Sequence, residues 1–183
     1  MIRWFLGAAL TVAMLAGPAL GAQDDPRLDA LFQRLTTTQD EAEAQVIESF
    51  IWTLWLDGHD DTLNQLLAQG TRDMQVGDLD AAVDRFSTLI DMAPDFAEAW
   101  NKRATVYFMT GRYDESIDDC MQVLAREPRH FGALSGLGLI YQSRGQDAEA
   151  LDWFRRALEQ NPHMSSIRQR VEVLSLEVEG EPI

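Results

Sequence analysis

The chain has 183 residues, 46% of them hydrophobic and 25% charged, and its 30 Asp and Glu outweigh 15 Lys and Arg to give a formal net charge of -15. That length suits one domain, and so acidic a balance excludes a phosphate backbone or an anionic membrane surface as the main partner, because either would be repelled. With Cys120 as its single cysteine the chain cannot form an intramolecular disulfide, so its stability has to come from packing.

Residues 1–21 read as a cleavable secretory signal: Arg3 supplies a basic start, Trp4 to Ala16 an apolar core, and Gly17-Pro18 a break. Ala19 and Gly21 place cleavage before Ala22, with cleavage after Ala22 as the near alternative. The apolar core is shorter than the roughly 20 residues that cross a bilayer, so no membrane insertion is expected after cleavage. Without Arg3 the mature chain keeps 14 basic against 30 acidic residues, a net charge of -16. No cysteine near the cleavage point offers a lipid attachment site, and the expected location is the periplasm.

An N-terminal helical cap is expected over residues 27–58. Leu28, Leu31, Phe32 and Leu35 share one helical face, and Thr36-Thr37-Thr38-Gln39 breaks the pattern. A second helix opens at Asp40 with Glu43 three residues on, carries the stripe Ile47, Phe50, Ile51, Leu54 and Trp55, and ends at Gly58. Trp52 and Leu56 widen that stripe, which predicts packing on two sides, against its hairpin partner and against the first full repeat.

From residue 63 to residue 164 one helix-loop-helix pattern recurs every 34 residues, giving units at 63–96, 97–130 and 131–164. Gly77, Gly111 and Gly145 keep that spacing, as do Gly70, Ala104 and Gly138; Ala82, Ser116 and Ala150; Phe86, Cys120 and Phe154; and Pro94, Pro128 and Pro162. Small residues at two columns let paired helices approach where they cross, the turn glycines permit a left-handed backbone, and each proline stops a helix. Cys120, in a column of phenylalanines, reads as a packing residue. A single unit cannot bury its own apolar face, so the array implies stacking. A last helix at 165–179 starts at Ser165 or Ser166, with Ile167, Val171, Leu174 and Val178 facing inward and Arg168, Gln169, Glu172 and Ser175 facing water. Residues 180–183 read as a disordered tail.

Trp100, Arg103, Ala104 and Tyr107, with Ala150, Phe154 and the three prolines, resemble the tetratricopeptide repeat family, and the runs around Asn101-Lys102-Arg103-Ala104 and Arg129 to Gly138 are similar to its small secreted bacterial members. The resemblance covers the three units. It implies an all-α, right-handed superhelical solenoid of three hairpins with capping helices at each end. It also implies a concave groove, lined by the first helix of each unit, that receives a segment of a partner protein. Asp73, Arg103 and Asp147 depart from the usual repeat pattern.

On those leading helices the residues outside the packing columns are the candidates for the groove. They are Leu67, Thr71 and Met74 in the first unit; Asn101, Lys102, Thr105, Phe108 and Met109 in the second; and Ser135, Leu139 and Gln142 in the third. Family members that grip an acidic C-terminus resemble one another in a set of Lys, Arg and Asn here. Only Asn101 and Lys102 match, and Gly132 and Gly136 stand where basic side chains would be needed, which argues against that ligand class. The two glycines admit either tight packing on the previous unit or a close ligand backbone. Phe108 and Met109 suit a peptide anchor, although Phe108 also suits packing between units.

No nucleophile motif or phosphate loop is present. His59, His130 and His163 read as loop histidines, too scattered for a metal site, and the pairs Asp24-Asp25, Asp60-Asp61 and Asp118-Asp119 read as solvated, with Asp60-Asp61 also opening a helix. Neither a cofactor nor catalysis is expected. The sequence predicts a protein-protein interaction scaffold of the bacterial cell envelope. The alternative is a structural or oligomerising subunit that works through its capping helices, Trp52 and Trp55 on one side or Val171 and Leu174 on the other, and the sequence leaves homo-oligomerisation open.

Overall fold

A computed structural model of the protein describes residues 22–178 and 180; the signal segment, and all of the tail but Gly180, lie outside the described residues. After a short 3-10 turn at Ala22–Asp24 come α1 (Arg27–Thr37), α2 (Glu41–Trp55), α3 (Asp61–Val76), α4 (Leu79–Met92), α5 (Ala97–Met109), α6 (Tyr113–Arg126), α7 (Phe131–Ser143), α8 (Asp147–Gln160) and α9 (Ser165–Val178). The described residues contain helices and connecting loops and no strand.

Helices α3 to α8 form three antiparallel hairpins, and local chemistry fixes their ends. The Asp60 carboxylate accepts from the Thr62 and Leu63 amides to open α3, and Asp40 does the same for α2 through the amides of Ala42 and Glu43. Gly77, Gly111 and Gly145 take φ of 82°, 74° and 71°, the left-handed conformation a residue with a β-carbon resists. Each is followed by the same reverse-turn bond: the amides of Asp78, Arg112 and Gln146 donate to the carbonyls of Asp73, Tyr107 and Tyr141 at 2.9, 2.8 and 3.0 Å.

The crossing columns work by close approach. A β-carbon at Gly70 would lie 2.6 Å from the Phe86 ring, and one at Gly138 would overlap the Phe154 ring. Phe86, Phe154, Ala82 and Ala150 are completely buried. In the middle unit Ser116 is buried too, and its hydroxyl donates to the Ala104 carbonyl at 2.7 Å. Two departures from the family pattern pair with other polar residues: Asp73 takes an ion pair from Arg85, and Arg103 reaches Asp119 at 2.8 Å and the Ser87 hydroxyl at 2.9 Å. Asp119 is therefore buried and paired, not solvated as the sequence suggests.

Helix α9 stands where the first helix of a fourth unit would, burying Ile167, Val171 and Leu174 against α7 and α8. Two details differ from expectation. Ser175 is buried and takes a bond from Arg155, while Val178 is 41% exposed.

The larger correction concerns α1 and α2. They form their own small core from Leu28, Phe32, Leu35, Ala44, Ile47, Ile51, Leu54 and Trp55, and the residues that join it from the repeats are Phe131 and Met164; the cluster contains no residue of α3 or α4. The hairpin therefore does not stack on the first unit as an end cap would. It folds across to the start of the third, where Trp52 meets Phe131 and His130 edge-on and Trp55 stacks on His130 at 4.1 Å. Phe50, placed on the buried stripe by its spacing, is 56% exposed.

Candidate functional site

The first helices of consecutive units lie side by side, and between α5 and α7 they leave a cleft of about 160 Å³. Thr105 and Phe108 from α5 face Ser135 and Leu139 from α7, with Cys120 and Gly136 among the lining residues. The lining is mostly apolar with a few hydroxyls. A β-carbon at Gly136 would meet the Cys120 sulfur at an ordinary 3.7 Å, so the missing side chain leaves space in the cleft and serves no tight contact. Burial, and to a lesser degree Asp119, push the Cys120 thiol up to about 12, so it stays protonated and unreactive.

The groove candidates separate into three groups. Asn101, Thr105, Phe108, Ser135 and Leu139 converge on the cleft. Leu67 is a correction: it is 5% exposed and belongs to the core with Phe86 and Leu89, because its helical position faces α4. Met74 packs half-buried against the same core. The rest lie outside the cleft lining: the Thr71 hydroxyl donates to the Leu67 carbonyl, Lys102 pairs with Glu98 at 3.1 Å, Gln142 accepts from Arg170 of α9 at 2.6 Å, and Met109 is 51% exposed at the end of α5.

Beside the cleft sits a polar cluster that sequence reasoning missed. Glu98 is fully buried; its carboxylate accepts from the Asn101 amide at 3.0 and 3.1 Å, pairs with Lys102, and lies 3.1 Å from His130 Nε2. The Ala133 amide donates to His130 Nδ1 at 3.1 Å, so Nδ1 is the acceptor and Nε2 carries the proton given to Glu98. His130 is thus the N-terminal cap of α7 and no loop bystander. Burial pushes the Glu98 carboxyl up, but His130 and the Lys102 ammonium outweigh it and the net direction is down. Asn101 joins this cluster to the cleft, and Gly132 joins the cleft to the hairpin, since a β-carbon there would come within 2.8 Å of Trp52. Of the two readings of the glycines, Gly132 serves close approach by the hairpin and Gly136 the open space. The sequence signal for this joint was the pair of tryptophans in α2, with no small-residue column nearby to receive them.

Known proteins carry the same pattern. Two family models, both described as Tetratricopeptide repeat, match residues 95–161 and 67–120. A "TPR repeat-containing protein" of Rhizobium etli is 36% identical over 154 residues, covering 84% of this chain and 76% of its own length. Small glutamine-rich tetratricopeptide repeat-containing protein 2 of Mycosarcoma maydis is 30% identical over 98 residues, 54% of this chain but only 28% of that one. Among solved structures, the Yersinia enterocolitica type III secretion chaperone SycD in complex with a peptide of the translocator YopD superposes with a TM-score of 0.61 at 18% identity, over 64% of this chain and 95% of that one.

Proposed function

The chain belongs to the tetratricopeptide repeat family, and from that premise we propose that it is a non-catalytic scaffold that holds a segment of a partner protein in the cleft between α5 and α7. The observation that carries this reading is the convergence of Thr105, Phe108, Ser135 and Leu139 on one largely apolar opening that no side chain of its own fills. A volume of about 160 Å³ admits one apolar side chain of a bound segment, with the hydroxyls of Thr105 and Ser135 beside it. The peptide held by the Yersinia chaperone, whose fold is shared, is consistent with this use. The secretory layout of residues 1–21 supports the bacterial cell envelope as the setting.

The test is crosslinking in the native cell from a photoreactive residue at Phe108, with a control at Asp152 on the exposed face of α8. A discrete adduct from position 108 alone supports the scaffold and identifies its partner. Adducts only from the control position, or only to a second copy of the chain, would reject it in favour of an assembly subunit.

A further inference from the structure

The loops that close the three units present one set of positions, spaced 34 residues apart, to the N-terminal hairpin and the 3-10 turn that precedes it. In the first loop, the Asp95 carbonyl takes a hydrogen bond from Gln23 at 2.8 Å. In the second, Arg129 pairs with Asp29 at 2.7 Å and lies over the Phe32 ring at 4.5 Å. In the third, His163 Nδ1 lies 3.2 Å from Glu41, and Asn161 donates to Glu48 at 3.0 Å. Asp95, Arg129 and His163 are equivalent residues of successive units. The hairpin and the turn before it therefore lie across all three loops, along one edge of the solenoid.

In a stacked repeat each unit touches only its neighbours, so bending and twisting between units are the soft motions that open or close a groove. A body fixed to three successive loops spans two of those interfaces and opposes both motions. The short connection from Leu56 to Asp60 holds the hairpin close to its docking edge, which favours the docked state by high effective concentration. We propose that the α1–α2 hairpin is a strap that fixes the curvature of the solenoid, and with it the width of the cleft between α5 and α7. Phe131 is its main plug, buried among Phe32, Trp52 and Trp55. The inference concerns the geometry of the groove and does not depend on what occupies it.

The experiment uses the full chain in two forms with the strap contacts broken: Trp52→Glu, and the double reversal Asp29→Arg with Glu41→Arg. Amide exchange reports docking, and the distance between spin labels at exposed Arg72→Cys on α3 and Gln169→Cys on α9 reports curvature, with the buried Cys120 left in place. The expected result is that protection of α1 and α2 falls by about tenfold or more while α5 to α8 stay within about twofold, and that the label distance distribution broadens in the same variants. An unchanged distribution around a released hairpin would overturn the strap. So would a loss of protection in α5 to α8 equal to that in α1 and α2, which would make the hairpin part of one cooperative core, or unchanged hairpin protection in both variants, which would mean that these contacts do not hold it.

Discussion

Helices α3 to α9 and the hairpin α1–α2 are built from similar amphipathic segments, yet they find their partners in different ways. In the repeats each helix packs against the next one in sequence, and Gly138 receives a ring from Phe154 only 16 residues on. The hairpin passes over its sequence neighbours α3 and α4 and docks on residues such as Phe131 and Asn161, the latter 113 positions from its partner Glu48. The difference is that the repeat array stabilises itself through contacts between sequence neighbours, whereas the hairpin is held by contacts distant in sequence.

Four measurements sharpen or break that contrast. The largest effect is expected at the joint between the two regions: Phe131→Ala should cost about 3–5 kcal/mol in urea denaturation, because a fully buried ring is lost from a cluster of aromatics. A loss below about 1 kcal/mol would mean that the hairpin rests on the repeats without being anchored in them. Next is the crossing inside the third unit. Gly138→Leu overpacks the Phe154 ring and should cost about 3 kcal/mol, with α7 and α8 losing amide protection before α3 and α4.

Third is the polar cluster. Glu98→Gln should cost about 2 kcal/mol near neutral pH, since it removes a buried charge that His130 and Lys102 face. The folded-state value of Glu98 lies below its ordinary 4.5, so its contribution is present in full above that value and is lost as pH falls through the lower, folded value. The gap between the thermal midpoints of parent and variant should accordingly narrow below pH 4.5; a gap that does not change with pH would remove the charge from the account. Smallest is a matched pair of glycines. Gly132→Ala pushes on Trp52 and should cost about 1 kcal/mol, while Gly136→Ala meets only an ordinary contact with Cys120 and should leave the thermal midpoint unchanged while narrowing the cleft.

The repeats were legible in the sequence because their contacts repeat at the period of the chain: the small-residue columns, the turn glycines and the prolines all state where neighbouring helices meet. The cleft was legible only in part. Thr105, Phe108, Ser135 and Leu139 are placed by position on the leading helices, but Leu67, in register with Asn101 and Ser135, is an apolar side chain buried in the core with Phe86 and Leu89. The docking of Trp52 and Trp55 left no periodic trace, since the aromatics belong to one element and their receiving surface is assembled from loops of another. His130 gave no sign of its role for the same reason: its partner Glu98 sits 32 residues away, at the start of α5.

Helix α9 continues the register of the array on its inner faces, with Val173 and Leu176 standing one period after Leu139 and Gln142 and both about half exposed. At the position that is Gly70, Ala104 and Gly138 in the three units, it carries an exposed Glu172. A fourth second helix would need a small residue there to cross, and would meet a charged side chain instead. On one side α9 thus accepts the last unit, and on the other it presents a charge at the crossing point where each of the three units presents a small residue.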